Sequence, residues 1–302
     1  MLILKLSGGL GNQMFEYAYA RRLQEYYEDE LYFDLSDFKT DKQRDYSLAH
    51  CNLAEHFFWE EDKQLAENVV DIEKYKLSMG QAYQIGKYNG NSFLKICLSQ
   101  MKNNLYHRKV KKSVQNKRIS DFYQSEEFFR PIKEQIIQEL KIKTAPSEEN
   151  EKLISKISRE NSVCVHIRLG DYLLPEWKML QVCDEQYYYR GIDYMLKNVE
   201  NPTFYIFSNT SEDIDYLRKN YHFPCEVTYV NLNNPDYEEL RLMYNCKHFV
   251  ISNSTFSWWA QYLCENENKI VIAPKKWSVD DKKKDIYQKN WIRIVQRCDV
   301  KR

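Results

Sequence analysis

The 302-residue chain has no excess of either charge, with 44 Lys and Arg against 44 Asp and Glu. That balance gives no sign of a generic nucleic-acid binder, which gathers basic charge on one face. No run approaches the eighteen apolar residues of a membrane-spanning helix. Met1 to Leu6 reads as a strand at once, without the basic and apolar regions of a secretory signal. Cys51, Cys97, Cys164, Cys183, Cys225, Cys246, Cys264 and Cys298 form no CxxC and no paired spacing. Such thiols read as small apolar fillers, so a reduced cytoplasmic interior is expected. There is no HxxxH with a partner carboxylate, and His50 and His56 read as packing or surface groups rather than metal ligands. No internal repeat or low-complexity tract is visible.

What is present is enough apolar material for real cores, 43% of the residues, on a length that suits one large or two domains. Aromatics make up 15%, among them 24 Tyr. Tyr and Trp offer a flat apolar face with a polar tip, which suits stacking on sugar rings or bases.

The most informative stretch is Val163 to Tyr172, VCVHIRLGDY. Its β-branched opening reads as a buried strand of a parallel sheet covered on both faces. Arg168, Gly170 and Asp171 follow at once, placing a guanidinium just beyond the strand's carboxyl end, the edge where open α/β sheets bind ligands. The planar fork suits an anion with several oxygens, and the alternative is an ion pair with Asp171. Near the start, the strand Leu2–Leu6 runs into SGGLGNQ (Ser7 to Gln13) and a helix from about Asn12 to Tyr27. Strand, glycine-rich turn and helix start together make an anion cradle. It is neither a Walker A loop nor GxGxxG, and a tight turn that needs glycine is the plain alternative.

Leu31–Asp34 reads as a second strand, and 35–98 is irregular and aromatic, with Phe57, Phe58, Trp59, Tyr75, Tyr83 and Tyr88. Residues 102–118 are basic, with Lys102, His107, Arg108, Lys109, Lys111, Lys112, Lys117 and Arg118, which favours a solvated face. Glu126–Ile142 has the period of one amphipathic helix. The break at Thr144–Ser147 divides an N-terminal α/β domain, 1–147, from a C-terminal one, 148–302. Beyond it, strands near 163–168, 203–208, 226–230, 248–252 and 269–273 alternate with helices near 185–198, 211–220, 235–245 and 255–266. That repetition predicts a parallel, doubly wound sheet with right-handed crossovers. Ser208-Asn209-Thr210 and Ser252-Asn253-Ser254-Thr255 also fall at strand ends that open helices, where such side chains cap the helix or bind phosphate oxygens. Four polar strand-end segments together look like a nucleotide-diphosphate cleft between two α/β domains.

With those segments in view, the chain resembles the inverting α-1,2-fucosyltransferases of bacterial type, in a superfamily with α-1,6- and protein O-fucosyltransferases. The resemblance rests on GGLGNQMFEYA (8–18), HIRLGDY (166–172) and SNSTFSWWAQYL (252–263). QVCDEQYY (181–188), Pro274 to Trp277 and Trp291-Ile292-Arg293-Ile294 give weaker support. The chain departs from the pattern at Leu169, where the family commonly has a second basic residue, and at Phe207-Ser208-Asn209-Thr210, where many members have Phe-Ser-Asp-Asp.

The resemblance implies a GT-B-like fold of two Rossmann-type domains facing across a nucleotide-sugar cleft, with GDP-β-L-fucose held mainly by the C-terminal one. It implies metal-free transfer to the 2-hydroxyl of a galactose, free or lipid-linked, with inversion and without any cofactor. Arg168, Asp171 and His166 are then the catalytic candidates. Gly9, Gly11, Asn12, Gln13, Ser208, Asn253, Ser254 and Thr255 are the donor-binding ones, and Asp171, Glu176 and Asp184 the possible bases. Membrane contact is expected to be peripheral at most, through 102–118, at the inner face of the plasma membrane. Trp258 and Trp259 read mainly as core. The competing expectations are an α-1,6 linkage, a metal-dependent glycosyltransferase using Asp213 and Asp215, and a non-catalytic binding module.

Overall fold

A computed structural model describes residues 1–41, 43–59, 69–72, 92–111, 116–280 and 286–295. Tyr75, Tyr83, Tyr88, Lys112 and Cys298 lie outside the described residues. The chain divides into two compact units with the main boundary between Lys141 and Ile142.

The first unit is built on a parallel sheet of β1 (Leu2–Lys5), β2 (Leu31–Asp34), β3 (Phe57–Phe58), β4 (Val69–Asp71) and β5 (Asn116–Ile119), in the order β3-β2-β1-β5-β4. Leu2 and Leu4 of the central strand are fully buried. Helix α1 (Leu10–Tyr27) follows β1 and buries Met14, Phe15, Tyr17, Ala18 and Leu23. It starts two residues before the expected Asn12, so Gly11, Asn12 and Gln13 belong to its first turn. Helix α2 (Phe93–Lys111) precedes β5.

The expected helix over Glu126–Ile142 is broken. Two 3-10 turns, Glu126–Phe128 and Arg130–Ile132, precede a short α3 (Lys133–Glu139). Pro131 is the reason: it offers no N–H and disfavours helical geometry at the residue before it. The apolar period survives in Phe128, Phe129, Ile132, Ile136 and Leu140, all buried.

In the second unit, α4 (Glu148–Arg159) starts on Ser147, whose side chain accepts from the Asn150 amide. A six-stranded parallel sheet follows, of β6 (Asn161–His166), β7 (Pro202–Phe207), β8 (Val227–Tyr229), β9 (His248–Val250), β10 (Val271–Pro274) and β11 (Ile292–Ile294). Helices α5 (Glu185–Asn198), α6 (Ser211–Asn220), α7 (Asp236–Tyr244) and α8 (Thr255–Leu263) connect them. The order β11-β10-β9-β6-β7-β8 means that the chain goes out from β6 on one side and returns to its other side at β9. The switch point of this doubly wound sheet therefore lies between β6 and β9, where such folds bind ligands at the carboxyl ends.

Val163, Val165 and Ile167 are fully buried, each worth about 1.5–3 kcal/mol over exposure. A slip of one residue would exchange them with Ser162, Cys164 and His166, which are buried on the other face, so the polar Ser162 and His166 would land in the apolar cluster and the register that places Arg168 is specified. Trp258 and Trp259 are fully buried, as core. Among the described residues no helix is long and apolar enough to cross a membrane, and the described cysteines are free thiols.

Candidate active site

At the switch point His166 is the last residue of β6 and Ser252 lies two residues past β9. His166 is buried, with Nδ1 3.1 Å from Ser252 Oγ and 3.0 Å from Ser257 Oγ. Burial, helped by the nearby Arg168 charge, pulls its pKa down to about 3, so the imidazole is neutral at physiological pH. A neutral ring locked between two hydroxyls joins the end of β6 to the start of α8. Its Nδ1 is engaged there rather than with the loop that bears Arg168.

That loop is held from the other side of β6. Arg168 Nη1 donates to Asn209 Oδ1 at 2.9 Å, and Asn209 Nδ2 donates to the Leu169 carbonyl at 3.2 Å. Ser208 Oγ donates to the Ile167 carbonyl at 2.8 Å. Gly170 turns the chain at φ +56°, and a Cβ there would stand 2.9 Å from Asn209 Nδ2. The Arg168 guanidinium carbon lies 5.2 Å from the centre of the Tyr172 ring, whose hydroxyl donates to the Asn253 carbonyl at 3.1 Å. Asn209, Ser208 and Tyr172 thus fix a cation at the carboxyl end of the central strand. Leu169, where a second basic residue was expected, is buried instead.

Several of the expected donor-binding side chains make hydrogen bonds within the protein. Asn253 is buried, with its amide donating to the Leu180 and Trp277 carbonyls at 2.9 Å each and its oxygen accepting from Cys183 Sγ. Ser254 caps α8 by accepting from the Phe256 amide. Thr255 is the first residue of α8 and is half-buried. The Ser254 placement follows because a side chain at a helix start satisfies its unpaired amides.

The base candidates separate as well. Asp184 caps α5 by accepting from the Tyr187 amide at 2.9 Å and lies 3.9 Å from Arg190. Glu176 is exposed on the 3-10 turn Pro175–Leu180. The Asp171 side chain lies outside what the structure describes. Asp213 and Asp215 diverge on α6: Asp215 faces Arg218 at 3.4 Å, whereas Asp213 lies beside Gly170. Burial raises the Asp213 pKa, partly offset by the Arg168 charge and the Gly170 and Asn209 amides. The two carboxylates take different partners, as side chains two residues apart on a helix point to different faces.

In the first unit Gly8 has φ +68°, and a Cβ there would stand 3.0 Å from Asn12 Nδ2. The turn therefore needs glycine at this position. Gly9 precedes α1 without a side-chain cap, and Gly11 is buried in the first turn. The Asn12 and Gln13 amides donate to the Gly9 carbonyl at 2.8 and 3.2 Å, and so are used within the helix. Gln13 is fully buried, donating to the Gly8 and Asp45 carbonyls and accepting from the Ser47 amide. Asn12 Oδ1 accepts from Gln124. Beneath the turn, Glu16 accepts from the Ser7 amide and hydroxyl at 3.1 and 2.9 Å. Arg44 lies against the loop, with Nη1 3.9 Å from a Cβ built on Gly9.

Residue-by-residue reading gave no role to Tyr172 and Ser257 in the second unit or Arg44 in the first, and it read Asn209 and Ser252 only as parts of their strand-end segments. Tyr172 and Ser257 stand inside the quoted motifs, and an aromatic four residues after Arg168 was the available signal. Arg44 carried none.

These residues agree with what the chain resembles. The model of glycosyl transferase family 11 matches residues 1–295. An alpha-1,2-colitosyltransferase of Escherichia coli is 28% identical over 97% of this chain and 99% of that protein. The O-antigen biosynthesis glycosyltransferase WbnK of Escherichia coli is 26% identical over 96% and 99%. Galactoside alpha-(1,2)-fucosyltransferase 1 of Oryctolagus cuniculus is 31% identical over 45% of this chain and 39% of its own length. Among solved structures, POFUT1 in complex with GDP superposes with a TM-score of 0.51 at 14% identity, over 90% of this chain and 98% of that one. That likeness carries the fold, which is GT-B-like. With a family model matched from Met1 to Val295, the chain belongs to glycosyl transferase family 11.

Proposed function

We propose that the protein transfers L-fucose from GDP-β-L-fucose to the 2-hydroxyl of a galactose in a glycan, with inversion and without a metal ion. The observation that carries this reading is the fixed guanidinium of Arg168 at the carboxyl end of the central strand, held by Asn209. In the reaction the acceptor oxygen bonds to the fucosyl anomeric carbon, and the bond from that carbon to the diphosphate breaks. Its electron pair leaves on the β-phosphate oxygen, where negative charge builds as the sugar gains oxocarbenium character. A planar cation already in place answers that charge without reorganising, and its fork matches the phosphate oxygens. The hydroxyl proton passes to a carboxylate of the segment after Arg168. Asp171 and Glu176 are the candidates, because Asp184 is committed to its helix cap. The neutral His166 supports the site by joining β6 to α8.

The whole-chain similarity to a colitosyltransferase favours a second reading of the donor. Colitose is fucose without its 3-hydroxyl, so the same diphosphate chemistry serves either sugar. The test offers GDP-fucose and GDP-colitose in parallel, with EDTA, to lactose, N-acetyllactosamine and a lipid-linked galactoside. NMR of the product then assigns the linkage. An α-1,2-fucosyl galactoside formed in EDTA is the expected result. A product from GDP-colitose alone, a 1,6 linkage, or loss of turnover in EDTA would each contradict it.

A further inference from the structure

Helix α2 has apolar side chains on two opposite faces. Ile96 and His107 turn inward, 4% and 0% exposed. His107 meets the Tyr27 hydroxyl, and Lys111 pairs with Glu28 at 2.6 Å, so the helix is pinned to the end of α1. On the opposite face Leu94, Leu98, Met101 and Leu105 are 68, 51, 67 and 55% exposed. Their spacing of four, three and four residues makes one continuous stripe along the outside of the helix.

The charges around the stripe are of one sign. Lys95, Lys102 and Lys109, seven residues apart, follow one edge of it and Arg108 stands on the other. The helix contains no Asp or Glu. None of these four cations pairs with another described residue. Buried His107, its pKa pulled down to about 4 by burial, adds no charge.

An exposed apolar stripe on a folded unit marks a contact surface, and the charge pattern selects its occupant. A second copy packed stripe to stripe would bring the two lysine rows together with no acid to answer them. An anionic bilayer answers both features, taking leucines at the headgroup boundary and lysines at its phosphates. We propose that the outer face of α2 is a docking surface for anionic lipid bilayers. This assignment is independent of the donor and acceptor above, since lipid binding is read with neither present.

The test is co-sedimentation of the full chain with phosphatidylcholine vesicles, with and without phosphatidylglycerol. Binding is expected only with phosphatidylglycerol, and it should weaken as salt rises. Replacing Lys95, Lys102 and Lys109 by Ser should lower partitioning on the order of a hundredfold. Leu98→Glu with Leu105→Glu should lower it at least about tenfold. Both variants change exposed positions, so circular dichroism and Tm should stay at the parent values. Absence of binding to phosphatidylglycerol vesicles, or binding that both variants retain, would overturn the proposal. So would a dimer in analytical ultracentrifugation that Leu98→Glu dissociates while the parent ignores vesicles, which would make a second copy the occupant.

Discussion

Arg168 and Asn209 form a clasp across the carboxyl ends of β6 and β7: the guanidinium donates to Asn209 Oδ1 at 2.9 Å, and the same amide donates to the carbonyl of Leu169. Asn209 therefore holds both the side chain and the backbone of the arginine loop.

If Asn209 acts by positioning, its partner's charge matters less than its reach. Asn209→Ala should lower kcat about tenfold with little change in KM for the acceptor, reflecting a lost hydrogen bond of roughly 1–3 kcal/mol to a charged group. Asn209→Asp should restore kcat to within a few-fold, because a carboxylate can accept the same bond. Steady-state kinetics of the three proteins checks this, and equal losses in both variants would refute it.

Two buried groups give the protein opposite sensitivities to pH. Burial raises the Glu16 pKa from 4.5 to about 8, so the folded state holds a proton that the unfolded state releases. Stability should fall as pH rises from about 4.5 towards 8. His166, lowered from 6.5 to about 3, works the other way: stability should fall as pH drops from 6.5 towards 3. In Tm measured against pH, Glu16→Gln should remove the fall contributed between about pH 4.5 and 8 and leave the slope below about pH 4.5 unchanged.

Gly191 on α5 is a packing requirement. A Cβ there would stand 2.7 Å from Val250 Cγ1 on β9, and the stiff β-branched side chain has no easy retreat. Gly191→Ala should destabilise by about 1–3 kcal/mol through overpacking, read as a lower urea midpoint with an unchanged slope.

The second unit was legible in the sequence because its strands are short apolar runs and its helices carry their own caps, as at Ser147, Asp184 and Thr210. Arg168 could be placed from its distance to the end of a buried strand. The roles of Gln13 and Asn253 could not, because an amide serves a ligand or a carbonyl equally well. Their partners, Asp45 and Ser47 in one case and Leu180 and Trp277 in the other, are distant in sequence. The helix over Glu126–Ile142 had the correct apolar period, but Pro131 divided it without altering which side chains are buried. The stripe on α2 was hidden by a second apolar face, which cancels the one-sided pattern that sequence reading relies on.

The most direct test of the site's chemistry is GDP release from GDP-fucose, with acceptor and excess EDTA, for the parent, Arg168→Lys and Arg168→Ala. Arg168→Ala should lose about 100- to 1,000-fold in kcat. Arg168→Lys should recover only part of it, because an ammonium keeps the charge and loses the fork. Undiminished turnover in Arg168→Ala, or a parent rate abolished by EDTA, would contradict a guanidinium-stabilised diphosphate leaving group.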